Sequence, residues 1–193
     1  MNTCSNGSPC TQTLIGLSLM AFMLATRFHH FGDALHLPDA SWAIFFIAGF
    51  YLPPAWLPTL LLQAVAIDAI AIGWLGVSNY CLTPAYAALQ LAHGALWLGG
   101  RALRHHALLA WSGLVALGKF GVGAGLVAFA ISNGSFYWFG GRIAAPNWAE
   151  FAQTWVDYAP RFLSVMLMYL LVSAALQVAA QSLMGGKSAT RKA

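Results

Sequence analysis

The stretch SNYCLTPAY, residues 78–86, sets a single thiol, Cys81, between Tyr80 and Tyr86 and just ahead of Thr83 and Pro84. A thiolate is both a nucleophile and a soft metal donor. Asn79, Tyr80, Thr83, Pro84 and Tyr86 make a polar, aromatic turn suited to the wall of a ligand site. The alternative is a small side chain that fills a gap in the packing. The other two cysteines, Cys4 and Cys10, belong to a polar leader over about residues 1–12. On the topology derived below they lie across the membrane from Cys81, so the three thiols do not combine into a metal cluster or a disulfide staple.

Asp68 stands in the middle of the apolar run AVAIDAIAI. A carboxylate at that depth costs roughly 2.5–3.5 kcal/mol on insertion scales unless it is paired, so it is expected to face the bundle interior. Lys119, in ALGKFGVG, is the expected partner. Counted from the cytoplasmic ends of their spans, the two lie about 11 and about 12 residues in, which at roughly 1.5 Å per residue matches their depths within a few ångström. A structural ion pair and a proton relay are the two roles open to such a carboxylate. Gly121 and Gly125, close by Lys119, allow tight helix contact. Of the histidines, His29, His30 and His36 fall near the outer end of the first span, His93 within the fourth, and His105 and His106 in an inner link. Only the first group is placed to approach Cys81, and each alone ordinarily serves as a hydrogen-bonded or interfacial side chain. Arg27 and Arg161, at outer helix ends, are expected to snorkel toward the interface, the alternative being contact with a ligand amide or phosphate.

The elements that must position these groups follow from composition. The 193 residues are 60% hydrophobic and 7% charged, and the mean hydropathy of +0.69 is far above that of a soluble domain. Apolar stretches of bilayer-spanning length fall at residues 13–31, 40–56, 57–77, 84–100, 107–132 and 161–184. They are continuous, not alternating, so helices are expected and barrel strands are not. The predicted fold is an all-α integral membrane protein, a six-helix bundle in one domain over residues 1–193, with a basic tail from about residue 185. Five of the nine basic residues lie in the link RALRHH and the tail GGKSATRKA, whereas Asp33, Asp39, Glu150 and Asp157 fall in the opposite links. This bias predicts both termini in the cytoplasm and Cys81 outside. The net charge of +4 is therefore a signal of topology and gives little support to nucleic-acid binding. Residues 133–160 are expected to form a long outer link, whose Phe136, Tyr137, Trp138, Trp148 and Trp155 suit a lid or an interfacial belt. The leader lacks the basic start of a cleavable signal peptide, and no phosphate-cradling loop for ATP is present.

Several of these segments together resemble the BtuM family: the first hairpin RFHHFGDALHLPDASWAIFFIAGFYLP, IDAIA in the third span, NYCLTPAY after it, six short helices and a long outer link. These are solitary vitamin B12 uptake proteins of the bacterial inner membrane, related to the substrate-binding S-components of energy-coupling-factor transporters. The resemblance covers most of residues 14–184 and is most specific at the first hairpin and around Cys81. It implies an S-component-like fold and the binding and uptake of cobalamin or cobinamide. It implies Cys81 as an axial ligand of the corrin cobalt; donation from the thiolate across the metal would then weaken the opposite bond and assist removal of a cyano ligand. Tyr80 and Tyr86 would wall the ring, and Asp68, His29 and His30 are further binding candidates. S-component kinship also implies a small-residue face on the first helix for docking a transmembrane coupling subunit, which Ala21 and Ala25 in AFMLA fit. Two other classes compete: an ion-coupled small-metal or solute permease with an intramembrane Asp, Lys and His relay, and a membrane haem or thiol oxidoreductase.

Overall fold

The computed structural model describes residues 8–29, 37–80, 82–106 and 111–190, without the side chains of 28, 29 and 182–190. These residues form six helices and no strand: α1 Pro9–His29, α2 Ser41–Tyr51, α3 Trp56–Trp74, α4 Tyr86–Leu103, α5 Trp111–Phe139 and α6 Trp148–Thr190. Four of them carry stretches long and apolar enough to cross a bilayer: Pro9–Arg27, Trp56–Trp74, Trp111–Phe139 and Trp148–Gln181. The expected six spans are thus reduced to four, for reasons visible in α2 and α4.

α2 has only 11 residues, about 16 Å of helix against a hydrocarbon core of about 30 Å. It stops because Pro53 and Pro54 follow. Leu52 takes an extended backbone with φ −102° and ψ 152°, the conformation favoured before proline. Trp56 and Leu57 then donate their N–H groups to the Pro53 and Pro54 carbonyls, so the run 40–56 is cut near its C-terminal end. α4 has 18 residues but spends several on Gln90, His93 and Arg101, which lowers its apolar character. At the start of the chain, α1 begins inside the expected leader. Ser8 Oγ accepts the Thr11 N–H at 3.3 Å, and Pro9 occupies the first helical position, where its missing donor is not needed.

The expected long link is the second correction. α5 continues to Phe139 and α6 starts at Trp148, leaving 140–147 as a short connection with Gly141 at φ 67°. Asn147 caps α6 by accepting the Glu150 N–H through Oδ1 at 2.9 Å. The aromatic residues zip the two helices together, with Trp138–Trp148 centroids at 4.8 Å, Tyr137–Phe151 at 5.2 Å and Phe129–Trp155 at 5.0 Å. Phe139 and Trp148 stay largely exposed, as an interfacial belt requires. With 29 residues, α5 is about 43 Å long, so it outruns the hydrocarbon core.

The core gathers around α2, which is apolar on every side and buried from Ser41 to Phe46 and at Ala48 and Gly49. Two glycines let α2 and α4 touch backbone to backbone. A Cβ at Gly49 would strike the Trp97 carbonyl, and one at Gly100 the Phe46 carbonyl. The close contact expected at Gly121 and Gly125 is present, made with Leu170 and Leu163 of α6. Outward faces remain apolar, as at Leu14, Leu17, Leu171 and Leu176.

Candidate functional site

Three side chains from three helices meet at one end of the bundle. Arg27, two residues before the end of α1, donates Nε to Asp68 Oδ1 at 2.7 Å and Nη2 to Asp68 Oδ2 at 2.6 Å. Tyr86, the first residue of α4, donates its hydroxyl to the same Oδ2 at 2.6 Å. The Asp68 carboxylate therefore accepts a fork of two N–H groups and a phenol, a bidentate geometry that fixes orientation as well as distance. Its side chain is 13% exposed and that of Arg27 8%.

The start of α2 and the link ahead of it supply the remaining partners. Arg27 Nη1 donates to Ser41 Oγ at 2.9 Å and lies 3.5 Å from Asp39 Oδ2. Ser41 in turn donates its hydroxyl to Asp39 Oδ1 at 2.6 Å and its backbone N–H to the same oxygen at 2.9 Å. Thr26 Oγ1 accepts the Ala40 N–H at 3.3 Å, and Tyr169 of α6 reaches the Pro38 carbonyl at 2.8 Å. One guanidinium is thus shared by two carboxylates and a hydroxyl, tying α1, α2, α3 and α4 at the end where the segment 75–85 leaves α3 and enters α4. A carboxylate held this way is a positioned acceptor, not a free proton carrier.

This geometry overturns two expectations. Asp68 is paired with Arg27, and Lys119 is exposed on α5. Depth was matched, but α5 presents residues 113, 116, 117, 121, 124 and 128 to the bundle. Lys119 lies roughly 160° round the helix from that seam, at 100° per residue. Arg27 does not snorkel. It is buried, with 6% of its surface exposed, because two carboxylates face it.

The segment that carries Cys81 is tied at both ends. Gly76 at φ 70° ends α3, with Val77 donating back to the Ala71 carbonyl, the pattern of a left-handed helix cap. Tyr86 donates its backbone N–H to the Thr83 carbonyl at 2.8 Å. Across from it, the 140–147 connection leans on Tyr80: Arg142 sits 4.9 Å over the Tyr80 ring and donates Nε to the Tyr80 carbonyl at 3.2 Å, while Phe136 packs at 5.8 Å. The sequence-predicted residues therefore divide. Asp68 and Tyr86 come together, and Tyr80 is engaged instead by α5 and the connection after it. Cys81, His30 and His36 lie outside the described residues, as does the side chain of His29.

Ser41 and Asp39 are the members of this node that the sequence reading does not reach. The signal available was DAS at 39–41, an acid two residues before a serine at a helix start, a pattern that satisfies first-turn donors. Lower on α4, His93 is buried and stacked on Phe45 with centroids 4.2 Å apart. Comparison of the chain with protein-family models and with curated proteins returns no match.

Proposed function

We propose that this chain binds a cobalamin-type corrinoid at the outer face of the bacterial inner membrane and mediates its uptake, as an S-component-like bundle with both termini cytoplasmic. The observation that carries this reading is the joining of Asp68 and Tyr86 at a clamped polar node, on the two helices between which Cys81 lies in the chain. Both residues stand at positions of the BtuM resemblance. A corrinoid is flat, wide and fringed with amides, so it needs aromatic walls, fixed polar groups and one soft donor along the ring normal. Tyr86 is held in place by Asp68, Asp68 by Arg27, and Cys81 supplies the thiol. Ligation by the thiolate donates electron density through cobalt and weakens the bond to the ligand opposite, so cyanide leaves cyanocobalamin. An ordinary thiol, with a pKa of about 8.5, is mostly protonated at neutral pH, so ligation should quicken as pH rises. Ala21 and Ala25 are exposed on α1, which leaves that face open to a membrane coupling subunit. The permease alternative draws no support from Lys119, which is exposed on α5, while Asp68 is ion-paired with Arg27.

The test is to incubate the purified protein with cyanocobalamin and record the visible spectrum and free cyanide. Wild type should shift the corrin bands and release cyanide, and Cys81→Ser and Cys81→Ala should do neither. Variants that still convert the cyano form would leave the thiol a packing role only.

A further inference from the structure

Tyr86, Gln90 and His93 recur along α4 at intervals of four and three residues, so they share one face, one turn apart. Tyr86 is consumed by Asp68. The two below it are not consumed by anything described. Gln90 Nε2 and Oε1 and His93 Nδ1 are all shut off from solvent without a hydrogen-bond partner. His93 is 1% exposed, and its ring is clamped against Phe45 at an interplanar angle of 10°. That stacking occupies a face of the imidazole and leaves its edge, with the nitrogens, to meet a partner. Native proteins nearly always satisfy such buried atoms, so three of them on adjacent turns mark the seat of a guest group.

The chemistry of the guest follows from what is on offer. Gln90 presents an unused donor and an unused acceptor side by side, which a planar group with both in turn can satisfy. A carboxamide has both. An ionised carboxylate lacks the donor and an ammonium lacks the acceptor. The nearby guanidinium of Arg27 is already committed to Asp68, Asp39 and Ser41, so no spare cation on this node invites an anion. We infer that Gln90 and His93 form a subsite for a neutral carboxamide of the bound molecule, one and two turns below Tyr86. This rests on the corrinoid reading above and adds to it which part of the ligand the protein reads, and with which residues. A corrinoid carries its carboxamides around the ring edge, where a row of polar side chains running along one helix can reach one of them.

The test uses the full-length protein in lipid nanodiscs, titrated with cyanocobalamin and with each of its monocarboxylic acids, in which one peripheral carboxamide is hydrolysed to a carboxylate. Wild type should bind one isomer at least tenfold more weakly than the parent. Gln90→Leu should lose at least tenfold in affinity for the parent and no longer distinguish it from that isomer. Gln90→Asn, which keeps the amide and shortens its reach, serves the same comparison if the leucine variant does not fold. The inference is overturned if wild type binds every isomer as it binds the parent, or if both variants keep the wild-type ranking, since the unpartnered atoms then hold water alone. A wild type that binds no corrinoid overturns the proposed function itself, and is told apart from those results by the absence of any titration.

Discussion

The Arg27–Asp68 node and the α2–α4 seam hold the same helices together by opposite means. At the node, a few directional bonds converge on one guanidinium, and α1, α2, α3 and α4 are tied through side chains. At the seam, Gly49 and Gly100 remove side chains altogether, so backbone meets backbone. The seam tolerates no added volume, and the node no unbalanced charge. This division suits a membrane protein that must keep a polar site: close packing of small residues supplies helix association without a hydrophobic drive, which frees the polar groups to shape a site.

Four substitutions break this comparison, in falling order of effect. Gly100→Val should be the most severe, because the new methyls meet the Phe46 backbone, which no rotamer change can move aside. The cost should exceed the roughly 1–3 kcal/mol typical of overpacking, and size-exclusion chromatography should show little monodisperse protein. Arg27→Leu should come next, at about 3–5 kcal/mol, since it strands the buried Asp68 and leaves Asp39 unpaired. The double variant Arg27→Leu with Asp68→Leu should be milder than Arg27→Leu alone. Denaturation in mixed micelles measures both, and a double variant worse than the single would show that the pair is not acting as a unit. Tyr86→Phe removes one hydrogen bond to a charged acceptor and should cost about 1.5–3 kcal/mol. Lys119→Ala is the smallest, within about 0.5 kcal/mol. A loss as large as that of Arg27→Leu would restore Lys119 as a buried partner.

What could be read from the residues alone follows from the kind of information each holds. Six helical segments were legible because continuous apolar runs in a low-charge chain leave little else. Their ends were less so. Pro53 and Pro54 cut the second run, a local steric effect visible in the letters, whereas the extension of α5 and α6 across 133–160 depends on Tyr137, Trp138, Trp148 and Phe151 finding one another across the hairpin. Asp68 was legible as an interior carboxylate that needs a partner, and the choice of partner was not. Counting residues fixes depth along a helix, and pairing also requires the angle around it, which for α5 is set by its glycine and alanine seam. The fate of Arg27 was not legible because a helix-end arginine has two destinations, the interface or the core, and the deciding charges lie elsewhere, Asp68 on α3 and Asp39 in the link ahead of α2. Gln90 has no motif at all. Its unused amide becomes visible only once the neighbours that might have satisfied it are placed.

The central claim is that Cys81 bonds to the metal of a corrinoid, and cobalt K-edge X-ray absorption reads that bond directly. The purified protein loaded with cobalamin should show one sulfur scatterer in the first shell of cobalt, with Cys81→Ser loaded in the same way showing nitrogen and oxygen only. A wild-type spectrum fitted by nitrogen and oxygen alone, with cobalamin demonstrably bound, would contradict the claim.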